Sequence, residues 1–237
     1  MKQCNIGKIN SIQSLGTLDG PGLRYVVFMQ GCNLRCHCCH NPETWNINGG
    51  KEITSDEIVK KVVRYKEYFK DKGGITISGG EPLLQPKFVL DVFKKCHQEN
   101  INTCLDTSGS IFNEEVKELL KETDRVLLDI KYYNDFLYEK YVGCKLNNVI
   151  EFLTYLNSCN INVTLRQVII PSINDNDENI NFIRKLKDPY RCIDNVEFLG
   201  FKKMCQSKYD NLNIEFKFKD IAEPNDQQIK ELNEKLN

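Results

Sequence analysis

Four cysteines crowd into one short loop, and thiolates held this closely are typical of a soft-metal or iron–sulfur site. The loop spans residues 31–41, with the sequence Gly-Cys-Asn-Leu-Arg-Cys-His-Cys-Cys-His-Asn, and directly follows an apolar run at 25–29. Its spacing reads as C-x3-C-x2-C over Cys32, Cys36 and Cys39. Three thiolate ligands on a four-iron cluster leave one iron free to bind a further molecule.

A disulfide framework and a closed zinc site are the alternative uses of these cysteines. The chain has 11 cysteines, an odd number, and opens without an apolar signal segment, so we do not expect disulfides. A zinc site needs four ligands, usually as two separated pairs, and no second C-x2-C or H-x3-H pair follows. The cysteines outside the loop are scattered singly, as small buried hydrophobes would be: Cys4, Cys96, Cys104, Cys144, Cys159, Cys192 and Cys205. The open cluster is therefore favoured, and structural zinc stays the alternative.

Composition places ordinary bounds on the protein. The chain has 237 residues, 41% of them hydrophobic, with 32 basic against 33 acidic side chains. This length fits one domain over 1–237, with a core at about 14–203 and a C-terminal extension at about 204–237. The charge balance gives no excess of basic residues that would favour binding to a nucleic acid or a membrane surface. No apolar run approaches the roughly 20 residues that span a bilayer, so we expect a soluble, cytoplasmic protein.

Short β-branched runs alternate with helical patterns along the chain. They predict strands at 24–30, 74–78, 101–105, 125–130, 162–170 and 195–199. Helices are predicted at 57–69, 86–98, 113–121, 148–157, 178–186 and 226–235. The first helix opens with a capping box in which Thr54 caps and Glu57 reaches back. Six βα units in a row indicate an α/β fold with a parallel sheet, open or curled into a partial barrel.

Each predicted strand carries, or is followed by, polar or conformationally special residues, and the loops at the strand ends of a parallel α/β fold form its functional site. After the cysteine loop these positions are, in chain order, Gly79-Gly80-Glu81, Asp106-Thr107, Asp129 with Lys131, Arg166, and Lys202-Lys203. Structural alternatives exist: paired glycines often only tighten a turn, Asp106 is placed to cap a helix, and Asp129 with Lys131 is placed to form a surface ion pair. Taken together, the residues favour a polar, zwitterionic small molecule as ligand.

The cysteine loop, together with the Gly-Gly-Glu turn one βα unit later, resembles the radical S-adenosylmethionine superfamily. A narrower set of motifs resembles the pyruvate formate-lyase activating enzymes, which are glycyl-radical enzyme activases. These motifs are Gly16-Thr17-Leu18-Asp19-Gly20-Pro21-Gly22, Gln30-Gly31-Cys32, Cys39-His40-Asn41-Pro42, Trp45, Ser78-Gly79-Gly80-Glu81-Pro82 and Leu105-Asp106-Thr107-Ser108-Gly109. The resemblance covers nearly the whole chain and implies a partial (β/α)6 TIM-like barrel of the radical SAM type.

The resemblance also implies roles for individual residues. Cys32, Cys36 and Cys39 would ligate a [4Fe-4S] cluster. The positions implied for S-adenosylmethionine are Cys38, Cys39, His40, Gly79, Gly80, Glu81, Asp106, Asp129, Ile130, Lys131 and Lys202. Two of these depart from the family pattern, because Cys38 stands at a usually aromatic position and Lys202 stands where a histidine is common.

Further implied contacts concern a cation and the substrate. Asp106 and Thr107 would hold a monovalent cation near the methionine carboxylate. The substrate of such activases is a glycine-containing loop of a partner enzyme. Asp19 and Arg166 are the candidates for binding this loop.

The function implied by the resemblance is glycyl-radical activation in anaerobic metabolism. In this family a reduced cluster cleaves S-adenosylmethionine to methionine and a 5′-deoxyadenosyl radical, which takes a hydrogen from a glycine Cα of the partner. The chain lacks further cysteine runs between His40 and Ser78, which favours pyruvate formate-lyase as the partner. A flavodoxin or ferredoxin would supply the electron to an activase that is expected to be a monomer. The alternatives are activation of a related glycyl-radical lyase, or a radical SAM enzyme that acts on a small molecule.

Overall fold

The computed structural model describes residues 5–236, so Cys4 lies outside the described residues. The chain has an α/β fold, with a mostly parallel sheet of eight strands. It divides into two compact units that interleave in sequence. The first unit takes in the chain up to Asn33, then Thr44–Thr107 and Ile111–Leu127. The second takes in Leu34–Glu43, Ser108–Ser110 and the chain from Leu128 onward. The single domain expected over 1–237 stays a prediction.

The described secondary structure follows the predicted alternation. The strands are β1 (Ile6–Gly16), β2 (Arg24–Met29), β3 (Lys51–Thr54), β4 (Gly74–Gly79), β5 (Asn102–Thr107), β6 (Arg125–Asp129), β7 (Asn162–Ile169) and β8 (Ile193–Gly200). The helices are α1 (Ser55–Val63), α2 (Lys66–Phe69), α3 (Pro86–Gln98), α4 (Glu114–Leu120), α5 (Asp135–Tyr141), α6 (Leu146–Ser158), α7 (Asp177–Lys187), α8 (Gln206–Leu212) and α9 (Asp226–Glu234). The α/β class and all six predicted strands are confirmed, with ends shifted by one or two residues.

The first unit contains the sheet order β3-β1-β2-β4-β5, and the opening residues of β6 continue the order beside β5. Strand β1 is antiparallel to both β2 and β3, whereas β2, β4 and β5 run parallel. The side chains that fill its core with no exposed surface include Val26, Val27, Ile58, Val62, Ile75, Ile77, Val92, Phe93 and Leu105. The neighbouring residues Val26 and Val27 are both fully buried, so β2 is covered on both faces, as is typical of a strand inside a parallel sheet.

The second unit contains the end of β6, followed in the sheet by β7 and β8. Strands β7 and β8 are parallel and pair along their length from Val163–Ile193 to Ile169–Gly200. Its fully buried side chains include Leu128, Val149, Phe152, Leu153, Leu156, Val163 and Phe201. Within residues 5–236, no helix has the length and apolar character that a membrane-spanning helix requires.

The start of α1 shows how local sequence sets an element boundary. The Thr54 hydroxyl accepts a hydrogen bond from the Glu57 amide at 3.2 Å, and the Glu57 carboxylate accepts one from the Thr54 amide at 2.9 Å. This is the predicted capping box, and it is confirmed. The helix predicted at 57–69 is instead two helices, because Tyr65 leaves the helical conformation between α1 and α2.

Candidate active site

In the first unit, β2 leads directly to the first cysteine of the motif. Val26, Val27 and Met29 are fully buried, so the strand is fixed by its apolar side chains. Gly31 then has a positive φ of 95°, and its amide donates a hydrogen bond of 2.8 Å to the Thr44 carbonyl. This turn ends the strand and presents the partly buried Cys32 as the next residue.

The Gly-Gly-Glu turn after β4 packs directly on the backbone that precedes Cys32. A Cβ on Gly80 would overlap the Gly31 carbonyl oxygen, and a Cβ on Gly79 would overlap the backbone nitrogen of Met29. The Glu81 amide donates a hydrogen bond of 2.8 Å to that Gly31 carbonyl. Only glycine permits this approach, so the turn has a structural role in holding the thiol-bearing segment. The predicted contact of Gly79 and Gly80 with S-adenosylmethionine stays a prediction.

The ends of β4 and β5 are joined by two side-chain hydrogen bonds. The Glu81 carboxylate is almost completely buried and accepts bonds from the Leu83 amide at 3.1 Å and the Thr107 hydroxyl at 2.6 Å. Ser78 donates a bond of 2.7 Å to the Asp106 carboxylate. Glu81 and Ser78 therefore orient Thr107 and Asp106, the two residues predicted to hold a monovalent cation. The hydrogen bond from Ser78 was not predicted, because a single serine in a sequence does not indicate which group its hydroxyl contacts.

Asp19 lies in the loop between β1 and β2, where its backbone is held in place. Its carbonyl accepts a hydrogen bond of 2.7 Å from the Thr76 hydroxyl. The same hydroxyl accepts a bond of 3.0 Å from the fully buried guanidinium of Arg24. The predicted contact of Asp19 with a substrate peptide stays a prediction.

In the second unit, the segment carrying the other three loop cysteines is tied to the end of α5. The Arg35 amide donates to the Val142 carbonyl at 3.2 Å, and the His37 amide donates to the Tyr141 carbonyl at 3.0 Å. The His37 ring also packs against the Tyr141 ring, with centroids 5.3 Å apart. These contacts fix the backbone on both sides of Cys36.

Helix α8 secures the far end of the same segment. The Tyr209 hydroxyl donates a hydrogen bond of 3.0 Å to the Cys39 carbonyl. The Lys208 ammonium donates to the His40 carbonyl, the Asn41 side-chain oxygen and the Glu43 carboxylate, at 2.9, 2.8 and 2.6 Å. Lys208 and Tyr209 were not predicted from the sequence, because they lie in the C-terminal extension with no motif to mark them.

The environments of Cys38 and Cys39 differ. Burial raises the pKa of the Cys38 thiol above its ordinary value, although the nearby Lys131 ammonium acts in the opposite direction. The Asn41 amide donates to the Cys39 sulfur at 3.4 Å, an arrangement that favours a thiolate. The exclusion of Cys38 from the ligand set stays a prediction.

Three charged residues form a compact ion network: Asp129 ends β6, Lys131 follows it by two residues, and Arg166 lies in β7. The Lys131 ammonium lies 2.9 Å from one Asp129 carboxylate oxygen, and the Arg166 Nε lies 3.5 Å from the other. Burial acts to raise the pKa of Asp129, but the two cations outweigh it and hold the pKa below its usual value. The pKa of Lys131 is raised well above its usual value because Asp129, Cys36 and Cys38 outweigh burial. All three groups are therefore charged, as the predicted binding of a zwitterion requires.

Backbone hydrogen bonds of Ile130 and Lys131 hold the residues of this network in place. The Ile130 amide donates to the Arg166 carbonyl at 2.9 Å, and the Lys131 amide donates to the Tyr138 hydroxyl at 2.9 Å. The charged side chains are thus held by neighbouring strands and by α5, not by flexible loops.

Lys202 contacts His40 through its backbone. The His40 Nε2 lies 2.9 Å from the Lys202 carbonyl oxygen, and burial lowers the pKa of the imidazole, which is therefore neutral near pH 7. The Lys202 ammonium instead lies 3.8 Å from Asp226 and 3.9 Å from Glu223. Its predicted contact with S-adenosylmethionine stays a prediction.

The donor set suits an iron–sulfur cluster in kind and number. No disulfide bond joins the ten described cysteines, and the predicted ligands Cys32, Cys36 and Cys39 are three soft donors within eight residues of chain. Among residues 5–236, no three His, Cys, Asp or Glu side chains converge closely enough to hold a single metal ion. The fit to a cluster therefore rests on the chemistry of the donors.

Comparisons with known proteins identify the family of this chain. The model of the radical SAM superfamily matches residues 26–183. The chain is 42% identical to the pyruvate formate-lyase-activating enzyme of Clostridium pasteurianum, over 98% of this chain and 97% of that protein. It is 38% identical to the pyruvate formate-lyase 1-activating enzyme of Escherichia coli K12, over 92% and 90% of the two chains.

Solved structures support the fold. A radical SAM methyltransferase from Sphaerobacter thermophilus superposes with a TM-score of 0.66 at 16% identity, over 97% of this chain and 74% of that one. A domain of a pyruvate-formate lyase-activating enzyme from Bacteroides vulgatus gives a TM-score of 0.57 at 20% identity, over 69% and 92%. At such identities the likeness shows the fold alone, and that fold is the predicted radical SAM type.

Superfamily membership implies a [4Fe-4S] cluster and S-adenosylmethionine as cofactors. The narrower relationship rests on identity that extends over almost the full length of the relatives. The chain belongs to the radical SAM superfamily and, within it, to the family of pyruvate formate-lyase-activating enzymes.

Proposed function

We propose that this protein is a glycyl-radical enzyme activase, a radical SAM oxidoreductase, and that its partner is pyruvate formate-lyase. The observation that carries the proposal is the match to activating enzymes over nearly the whole of both chains, at 42% identity. The three thiols of the C-x3-C-x2-C loop, each carried by a fixed backbone segment, add independent chemical support.

The cluster ligands in this proposal are Cys32, Cys36 and Cys39. When bound, the reduced cluster supplies the electron that cleaves S-adenosylmethionine and so generates the radical that abstracts a hydrogen from the partner's glycine. The protein's own residues bind, orient and shield the reactants. Tyr209 and Lys208 hold the Cys39 end of the loop, and the Gly-Gly-Glu turn holds the backbone before Cys32.

The charged residues of the site suit S-adenosylmethionine, which carries an ammonium, a carboxylate and a sulfonium. Lys131 and Arg166 are cations placed to balance a carboxylate, and Asp129 is an anion placed to accept hydrogen bonds. The remaining proposed contacts are Cys38, Cys39, His40, Gly79, Gly80, Glu81, Asp106, Ile130 and Lys202. Asp19 and Arg166 are proposed to contact the substrate peptide, and Asp106 with Thr107 to hold a monovalent cation.

The finer features of the proposal concern the cellular setting. A flavodoxin or ferredoxin is the proposed electron donor, and the activase is proposed to act as a monomer in the cytoplasm. The free thiols of the described cysteines support a reducing environment.

Electron paramagnetic resonance tests the proposal directly. The anaerobically purified protein, reconstituted to about four iron and four sulfide per chain, is reduced and mixed with S-adenosylmethionine and pyruvate formate-lyase. We expect a glycyl-radical doublet on the lyase, and no doublet when the lyase carries alanine in place of its radical glycine. A fully loaded protein that gives no doublet would refute this partner.

A radical SAM enzyme for a small molecule is the alternative from a different class. It predicts methionine and 5′-deoxyadenosine release at an unchanged rate with and without the lyase, coupled to a small substrate. Activation of a related lyase instead predicts the doublet only on that other protein. A colourless protein that holds zinc and no sulfide would contradict all three functions.

A further inference from the structure

Tyr132, which directly follows Lys131, has a buried hydroxyl without a hydrogen-bond partner. Its side chain is 1% exposed, and within residues 5–236 the phenol oxygen neither donates to nor accepts from any group. A buried polar group in this condition destabilises the folded protein, and native proteins rarely retain one without a use. No motif in the sequence marks Tyr132.

The packing of Tyr132 places it beside the segment that carries Cys36. Its ring lies 5.3 Å from the Tyr141 ring, which lies 5.3 Å from the His37 ring. The His37 amide is bonded to the Tyr141 carbonyl, so the aromatic contacts and the backbone contact reinforce each other. Tyr132 thus packs on Tyr141, the residue that contacts the segment between Cys36 and Cys38.

The loop thiols of Cys38 and Cys36 are among the groups that act on the charge of the phenol. Burial is the main cause of its raised pKa, followed by interactions with Cys38 and Cys36, which disfavour the phenolate. The hydroxyl therefore keeps its proton and remains a donor. Cys36 is a proposed cluster ligand, and a thiolate can accept a hydrogen bond from such a donor.

We propose that the Tyr132 hydroxyl donates a hydrogen bond to the Cys36 thiolate when the cluster is bound, and that this bond makes the cluster easier to reduce. Hydrogen bonds to ligand sulfur are one of the factors that set the potential of an iron–sulfur cluster, because they offset the negative charge added by the electron. The proposal rests on the proposed function, since it requires the cluster.

The test compares Tyr132→Phe with wild type by redox titration of the reconstituted cluster, without the lyase. At a fixed potential we expect the ratio of reduced to oxidised cluster to fall about tenfold, in line with the loss of a hydrogen bond to a charged group. For a one-electron couple this equals a midpoint lowered by about 59 mV. The matched control is Tyr141→Phe, which removes a hydroxyl from the adjacent, partly exposed ring and is expected to leave the midpoint unchanged.

A second measurement on the metal-free protein separates this role from a structural one. Removing an unpartnered buried hydroxyl relieves its desolvation, so the metal-free Tyr132→Phe protein should unfold at the same urea concentration as wild type or a higher one. A variant that folds poorly or unfolds earlier would show that the hydroxyl already has a structural partner, and would overturn the proposal.

The remaining outcomes are also decisive. If Tyr132→Phe assembles the full cluster with an unchanged midpoint, the proposed bond is absent while the proposed function stands. If the wild-type protein assembles no four-iron cluster, the proposed function is refuted, and the proposed hydrogen bond is refuted with it. A lowered midpoint in Tyr132→Phe but not in Tyr141→Phe is the result that supports the bond.

Discussion

The buried hydroxyl of Thr107 donates a hydrogen bond of 2.6 Å to the carboxylate of Glu81. This bond connects the end of β5 to the turn after β4, whose glycines pack on the backbone before Cys32. A single charge-assisted contact thus links two of the segments from which the proposed site is built.

Replacing Thr107 with valine tests that link. The substitution keeps the shape of the side chain but removes a donor from a buried carboxylate, so we expect a loss of about 1.5–3 kcal/mol in the free energy of unfolding. Urea denaturation of the metal-free protein measures it. Thr123→Val is the matched control, because the Thr123 hydroxyl is buried but donates to the neutral Leu119 carbonyl at 3.0 Å. The control should lose only about 0.5–1.5 kcal/mol, and equal losses would contradict a special role for the Glu81 charge.

Gly80→Ala tests the close approach of the turn to the cysteine-bearing backbone. The new methyl group would meet the Gly31 carbonyl, which cannot move without displacing the segment before Cys32. We expect about 1–3 kcal/mol of destabilisation and a reduced iron content after reconstitution.

Gly143→Ala provides the control for that substitution. Gly143 has a positive φ of 88° but no atom within 4 Å of an added Cβ, so its cost is backbone strain of about 1 kcal/mol. Full iron loading is expected in this variant. Normal loading of Gly80→Ala as well would show that the turn does not control the geometry of the cysteine segment.

The cysteine assignment is tested by exchanging single thiols for alanine. Cys36→Ala should lose the bound iron and the cleavage of S-adenosylmethionine, because a cluster that is held by only three thiolates is not retained when one of them is removed. Cys38→Ala should retain both, since burial disfavours the thiolate form of Cys38. Iron and sulfide analysis of the two purified variants decides between them, and the reverse pattern would mean that the ligand register is wrong.

His97 gives the stability a defined pH dependence. Its Nδ1 lies 3.0 Å from Glu122 and its Nε2 lies 3.1 Å from Asp124, and these carboxylates raise its pKa despite burial, which acts in the opposite direction. Because the folded pKa lies above the unfolded value of about 6.5, the added stability is complete below that pH and is lost as pH rises through the folded pKa.

The measurement compares wild type with His97→Gln by urea unfolding at about pH 5.5 and about pH 8.5. The wild-type advantage should be larger at the lower pH, by at most about 1 kcal/mol, because solvent screens this partly exposed cluster. Comparing the two proteins cancels the contributions of His37 and His40, whose pKa values are lowered by burial. An advantage that grows with pH would contradict the assignment.

Local sequence was sufficient for the elements that bury an apolar face. Helix α3 begins and ends at the predicted residues, Pro86 and Gln98, because it alternates buried and exposed positions with helical period. The helix predicted at 226–235 is also confirmed as α9; it contains no fully buried residue, and its start is fixed by a capping box at Asn225.

The elements missed by the sequence analysis bury little. In β1 only Gly7, Ile9 and Gly16 are buried, and β3 contains no fully buried residue. Helices α5 and α8 each bury a single residue, Tyr138 and Tyr209. These segments owe their structure to backbone pairing and tertiary packing, which leave only a weak periodic pattern in the sequence.

For the site, the sequence by itself determined which groups are present: three thiols at cluster spacing, a glycine turn, and charged residues after successive strands. Tertiary structure alone decided how those groups are held, through the Glu81–Thr107 bond, the Lys208 contacts and the packing of Tyr132. Covalent spacing is local and can be counted along the chain. The partners of a buried side chain are distant in sequence. Their identity depends on how the elements pack and on which hydrogen bonds each buried polar group needs.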